Sequence, residues 1–147
     1  MAYFLSNPGN STKVAEHYAR KIGKPFYSIG FSPRDIGNGA TNCYDLGPLE
    51  FLSAIYGADT VITNSFHATA FCIIFHKQFF TRISGGNDSR NDRMLSLLKQ
   101  LGLGNRIFTD ETAGKVDFAQ KINYEAVEIK LQQLILSSKK FLSDSIE

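Results

Sequence analysis

Cysteine, net charge and long apolar runs are all scarce in this chain, and each scarcity closes off a class of protein. The two cysteines, Cys43 and Cys72, stand in unlike surroundings, one in a polar loop and one inside an apolar segment. They have no metal-ligand spacing and exclude a disulfide miniature, so Cys72 is read as a small core residue in a reducing compartment. Sixteen Lys and Arg against fourteen Asp and Glu leave a net charge of +2. That balance gives no footprint for nucleic acid or for a membrane surface. No apolar run reaches the roughly 18 residues that a membrane span needs. The amino terminus has neither the basic flank nor the apolar length of a signal peptide. A cytoplasmic location is expected.

What is present suits one globular domain over residues 1–147, with 43% hydrophobic and 20% charged residues. The chain is organised around Gly57 to His76, GADTVITNSFHATAFCIIFH. Thr60 to Thr63 is β-branched and apolar enough for a buried strand, and Ala68 to Phe75 reads as a helix apolar nearly all round. A buried strand feeding a buried helix is the βα unit of a parallel sheet. Further strands are expected at Tyr3–Leu5, Pro25–Ile29, Gln78–Ile83 and Arg106–Phe108. Helices are expected from Ser11 to Gly23, with Val14, Tyr18, Ile22, Ala15 and Ala19 on one face, and from Pro48 to Gly57, with Leu49, Leu52, Ile55 and Tyr56 inward. Two more carry Met94 to Leu101 and an apolar stripe from Tyr124 to Ile135. Residues 30–46 lack helical period, and a weak edge strand fits near Asn42 to Leu46.

This alternation predicts an α/β fold, a doubly wound Rossmann-like parallel sheet of about five strands. If the 30–46 segment supplies an edge strand, the first strand and Thr60–Thr63 lie side by side where the winding reverses, and their outgoing turns share one crevice. Met1 and Ala2 run straight into the first core strand, so the chain is expected to be one domain of a longer protein.

Three turns should meet at that crevice: Ser6–Ser11, Asn64–His67 and Ser84–Arg90. Each opens a helix and offers unpaired N–H groups at the positive end of a helix dipole, which suits a phosphate or carboxylate. Candidate ligand-binding residues are Asn7, Asn10, Ser11, Asn64, Ser65, Ser89 and Arg90, although capping alone would explain the same small polar residues. No Walker or dinucleotide fingerprint occurs. His67, after a strand and between Phe66 and Ala68, is the candidate acid–base group, its imidazole expected to be partly desolvated. Arg90 is preferred to Arg93 and Arg82 as the cation beside the anion. His17 and His76 are read as surface or helix-end residues.

The string GPLEFLSAIYGADTVITNSFHATAF, Gly47 to Phe71, resembles the carboxyl-terminal half of the polysaccharide pyruvyl transferase family, in its β-branched strand and Ser-Phe-His step. Asp88-Ser89-Arg90 before a leucine-rich helix, and the pattern after Asn123, are similar too. The resemblance implies the carboxyl-terminal half of a two-domain GT-B-type enzyme, inactive as an isolated domain. That enzyme would transfer pyruvate from phosphoenolpyruvate to sugar hydroxyls as a ketal in exopolysaccharide biosynthesis. It implies phosphoenolpyruvate as donor with no other cofactor, no metal, a saccharide acceptor that draws the enzyme to the membrane periphery, and an amino-terminal domain as partner. His67 matches the family's candidate catalytic histidine, and Ser89-Arg90 a motif near the anionic donor. Two departures stand out: Ser65 where some members have arginine, and Ala68 where glycine is common. A GT-B glycosyltransferase using a sugar nucleotide and a non-catalytic anion- or sugar-binding module are the alternatives. The absence of a carboxylate from the central turn counts against the first.

Overall fold

The computed structural model describes residues 1–5, 11–30, 40–84 and 90–146, the side chain of Arg90 excepted. Its strands are β1 (Ala2–Tyr3), β2 (Tyr27–Ile29), β3 (Thr41–Cys43), β4 (Thr60–Thr63), β5 (Gln78–Arg82) and β6 (Ile107–Phe108). All pair in parallel, in the order β3-β2-β1-β4-β5-β6. This is the doubly wound Rossmann-like arrangement. The sixth strand is β3, whose polar Thr-Asn-Cys sequence reads as loop. Such a strand is stable only at an edge, and Thr41 N–H donates to Phe26 O (2.8 Å) to start its pairing with β2.

The helices are α1 (Ser11–Lys21), α2 (Pro48–Gly57), α3 (Phe66–Ile74), α4 (Arg90–Gln100) and α5 (Tyr124–Asp144). Alternation along the strands divides the core in two. Val61 and Phe79 point to a layer built with Ile55 of α2, Ala68, Cys72 and Ile73 of α3, Leu98 of α4 and Val127 of α5. Ile62 and Phe80 point the other way, toward Ala15 and Ala19 of α1. That second face is completed by Phe118, whose ring meets Tyr18 (5.2 Å), Phe80 (4.5 Å) and Phe108 (6.0 Å).

Two helix faces differ from expectation. Leu49 and Tyr56 of α2 are 74% and 65% exposed. Ile55 is inward as expected, at 0% exposure, and its companions are Phe51 and Ala54, because Phe51 packs edge-on against Tyr3 at 4.7 Å. In α1, Ile22 is exposed, because it lies beyond the last helical residue, beside Gly23 at φ +65°. The stripe on α5 packs only over its first half. Asn123 caps it by accepting from Glu125 and Ala126 N–H, whereas Leu136, Phe141 and Leu142 are exposed. Among the described residues no helix is long and apolar enough to cross a membrane.

Candidate functional site

In this strand order the reversal falls between β1 and β4, which leave the same edge of the sheet. Tyr3 is in register with Thr63, and Thr63 with Thr81 of β5, so these three residues form the last row before the chain turns into its helices. The β4–α3 turn is tied to that row. Thr63 Oγ1 donates to Tyr3 O (2.5 Å) and accepts from Ser65 N–H (3.0 Å). Asn64 Oδ1 accepts from Leu5 N–H (2.8 Å), joining the turn to the chain leaving β1. Ser65 is the N-cap of α3. Its backbone is extended, its hydroxyl accepts from Ala68 N–H (3.3 Å), and the residue is buried.

His67 is the second residue of α3. Helix geometry turns Ala68 and Thr69 into the core, both at 0% exposure, and leaves position 67 outward and exposed. The expected partial desolvation is therefore not found: its neighbours in sequence are apolar, but they point elsewhere. The imidazole meets the Phe66 ring edge-to-face at 5.9 Å, and the Arg93 guanidinium lies over that same ring at 5.3 Å. Arg93 of α4, ranked below Arg90 from sequence, is thus a cation brought to the His67 turn among the described side chains. Phe66 is the platform between them. The second relation is not readable from spacing, because it is a contact between helices with 15 residues between them in sequence.

Ser11 opens α1. It has 0% exposure and Thr12 has 9%, and neither hydroxyl has a hydrogen-bond partner among the described residues. Buried hydroxyls are ordinarily bonded, so this helix start is unusual. Asn7, Asn10 and Ser89 lie outside the described residues, as does the side chain of Arg90. Arg82 is engaged two ways with Asp110, through Nε to Oδ1 (3.0 Å) and Nη2 to Oδ2 (2.8 Å). That fork fixes Arg82 against the segment after β6 rather than over the turn.

Among the described residues two hollows stand out. The smaller, about 200 Å³, lies at the carboxyl edge, between the ends of β1 and β2 and the start of α2, with Tyr3, Tyr44 and Phe51 in its walls. The larger, about 420 Å³, lies at the opposite edge beside Lys24 and Asp59. Size favours the second. Ligands of open α/β sheets nevertheless bind outside the carboxyl ends of the strands, at the reversal, and the exposed imidazole is at that edge. We therefore place the site there. Among the described residues no group of His, Cys, Asp and Glu is arranged to hold a metal ion.

No curated protein and no solved structure matches the chain. The family model described as polysaccharide pyruvyl transferase matches residues 9–84, a little over half of the sequence and the part that holds β2 to β5, α1 to α3 and the His67 turn. The chain belongs to the polysaccharide pyruvyl transferase family.

Proposed function

We propose that residues 1–147 form the carboxyl-terminal domain of a two-domain enzyme that transfers pyruvate from phosphoenolpyruvate to a saccharide. The observation that carries this reading is His67, an exposed imidazole in the first turn of α3, at the carboxyl end of a central strand. Family membership supplies the reaction class, and the site supplies groups that suit it.

Phosphoenolpyruvate carries a phosphate and a carboxylate. The α1 start with its Ser11 and Thr12 hydroxyls, and Arg93 above Phe66, are suited to such an anion. Arg90, Asn7, Asn10 and Ser89 are proposed to add to it. Asn64 and Ser65 act through the backbone bonds that hold the turn. In the reaction His67 gives a proton to the methylene carbon of the donor, which leaves an oxocarbenium-like centre. A first sugar hydroxyl adds there and returns its proton to His67. Phosphate then departs, and a second hydroxyl of the same sugar adds to close the ketal, its proton leaving with the phosphate. The saccharide acceptor is proposed to draw the enzyme to the membrane periphery from the cytoplasm.

The test is His67→Ala in the full-length enzyme. Ketal formation should fall by roughly 10²–10⁴, the usual worth of an acid–base group, with donor binding retained. Turnover close to wild type would discard the assignment. Calorimetric titration with phosphoenolpyruvate and with sugar nucleotides separates pyruvyl transfer from glycosyl transfer, since only the matching donor should release heat.

A further inference from the structure

Thr63, Thr69 and Thr81 each have 0% exposure. Threonine and valine have nearly the same shape, and the interior of a parallel sheet is ordinarily served by valine or isoleucine. A buried hydroxyl costs free energy unless it is bonded. The fold alone therefore gives no reason for Thr63 and Thr81 side by side on two neighbouring strands with Thr69 of α3 set against Thr81. Their hydrogen bonds give one.

Thr69 Oγ1 lies 3.0 Å from Ser65 O, which also accepts from Thr69 N–H at 3.0 Å, and 3.0 Å from Thr81 Oγ1. Each hydroxyl has one proton. If Thr69 donates to Ser65 O, Thr81 must donate to Thr69, and both bonds are satisfied together. On the other side of the turn, Thr63 donates to Tyr3 O and accepts from Ser65 N–H. Ser65 is thus held at its N–H by Thr63 of β4, at its carbonyl by Thr69 of α3, whose hydroxyl is in turn bonded to Thr81 of β5, and at its hydroxyl by Ala68 N–H. His67 is bracketed between those last two residues, so its Cα cannot shift without breaking part of the set.

We propose that the Thr63, Thr69 and Thr81 hydroxyls are positioning groups that fix the first turn of α3 and so aim the His67 imidazole. The proposal rests on the reading of His67 as the proton-transfer group. The three hydroxyls act through the backbone of the turn and do not touch substrate.

The decisive comparison is Thr69→Val with Thr81→Val, against Thr69→Ser with Thr81→Ser, in the full-length enzyme. Replacing both partners of a buried bond by methyl groups leaves no orphan, so the double valine variant should melt at or above the wild-type temperature. Its kcat should nevertheless fall by about tenfold or more, with KM for phosphoenolpyruvate little changed, because a misaimed group costs rate rather than binding. The double serine variant keeps the hydroxyls and loses two buried methyls, so it should melt lower yet retain most of kcat. Stability and activity would then move in opposite directions. Wild-type kcat in the double valine variant, or losses in both variants that follow melting temperature, would overturn the proposal. Amide hydrogen exchange at Ala68 and Thr69, whose N–H groups bond Ser65, provides a readout without turnover. It should quicken by roughly tenfold in the double valine protein and not in the double serine protein. If the wild-type enzyme transfers no pyruvate, the functional reading fails, and exchange alone then decides whether the hydroxyls hold the turn.

Discussion

Alkaline pH should destabilise this domain, chiefly through one thiol. Cys72 lies in α3 at 0% exposure, and burial pushes its thiol from an ordinary 9.0 up to about 12, opposed only in part by Lys77. Below pH 9 the folded and unfolded chains both keep the proton, and stability does not depend on this group. Between pH 9 and 12 the unfolded chain releases it while the folded chain retains it. Stability should then fall by about 1.4 kcal/mol for each pH unit. At pH 11 the loss is about 2–3 kcal/mol, a large share of the roughly 5–15 kcal/mol by which domains are stable. Tyr124 is shifted upward by the same cause and adds to the fall at higher pH. Cys72→Ala isolates the thiol. The substitution leaves a small cavity whose cost, about 1 kcal/mol, is the same at every pH. Urea unfolding of both proteins under reducing conditions, followed by circular dichroism at pH 8, 9, 10 and 11, would measure it. The variant should be the less stable at pH 8 and the more stable at pH 11. Two curves that stay parallel would refute the claim that Cys72 ionises only on unfolding.

Two further perturbations follow from buried polar groups outside the site. The Tyr124 hydroxyl contacts the carbonyls of Lys77 and Cys72, and its ring stacks on His76 at 4.6 Å. Tyr124→Phe keeps the stack and leaves those carbonyls without the phenol, so it should cost about 1–2 kcal/mol in urea unfolding. Arg106 has 1% exposure and gives Nη1–H to Gln120 O (2.7 Å). Its guanidinium lies 5.0 Å from the Phe80 ring centroid, and none of the ion pairs among the described residues includes it. Arg106→Lys buries a compact ammonium that cannot lie flat on the ring, whereas Arg106→Met fills the space without charge. The methionine variant should therefore be the more stable, by about 1 kcal/mol or more. The reverse order of urea midpoints would refute that account.

Much of the fold was legible because its signals are local. Thr60–Thr63 reads as a strand since β-branched apolar residues suit a strand covered on both faces, and it is found with those bounds. Pro48 and Gly57 delimit α2 as backbone chemistry requires. β3 was faint because an edge strand needs no apolar face, and its polar residues resemble loop. Ile55 was read correctly as inward, but its companions on α2 were misread because Leu49, Leu52 and Tyr56 are as helically spaced about it as Phe51 and Ala54, and only the ring of Tyr3 decides between them. At the site, the turn was legible and the aim of its side chains was not. Burial of His67 was inferred from sequence neighbours, whereas rotation about α3 sets exposure. The step from Arg93 to Phe66 is a contact between helices, for which one sequence holds no signal. One cue was present and unused: Thr69 stands four residues after Ser65, the spacing at which a hydroxyl bonds back to a helix carbonyl.

The position of the site follows from the weakest strand in the sheet. β3 has too few apolar side chains to be covered on both faces, so it can only be an edge. Once β2 and β3 have been laid to one side of β1, the chain has no stable place left on that side. α2 must carry it back across the sheet to the free edge of β1, where β4 pairs. That return puts the turns leaving β1 and β4 side by side, and every later strand extends the sheet away from them. A more apolar β3 would allow growth beyond it and would cover the crevice at which His67 now stands. The polarity that hid the strand in the sequence is therefore also what places the reversal, and with it the imidazole, at an open edge. The hydroxyl row answers the cost of that location. At the buried Ser65 the turn must satisfy its N–H and carbonyl away from water. Thr63, Thr69 and Thr81 provide directional bonds from beneath, where greasy contacts would centre the turn less sharply.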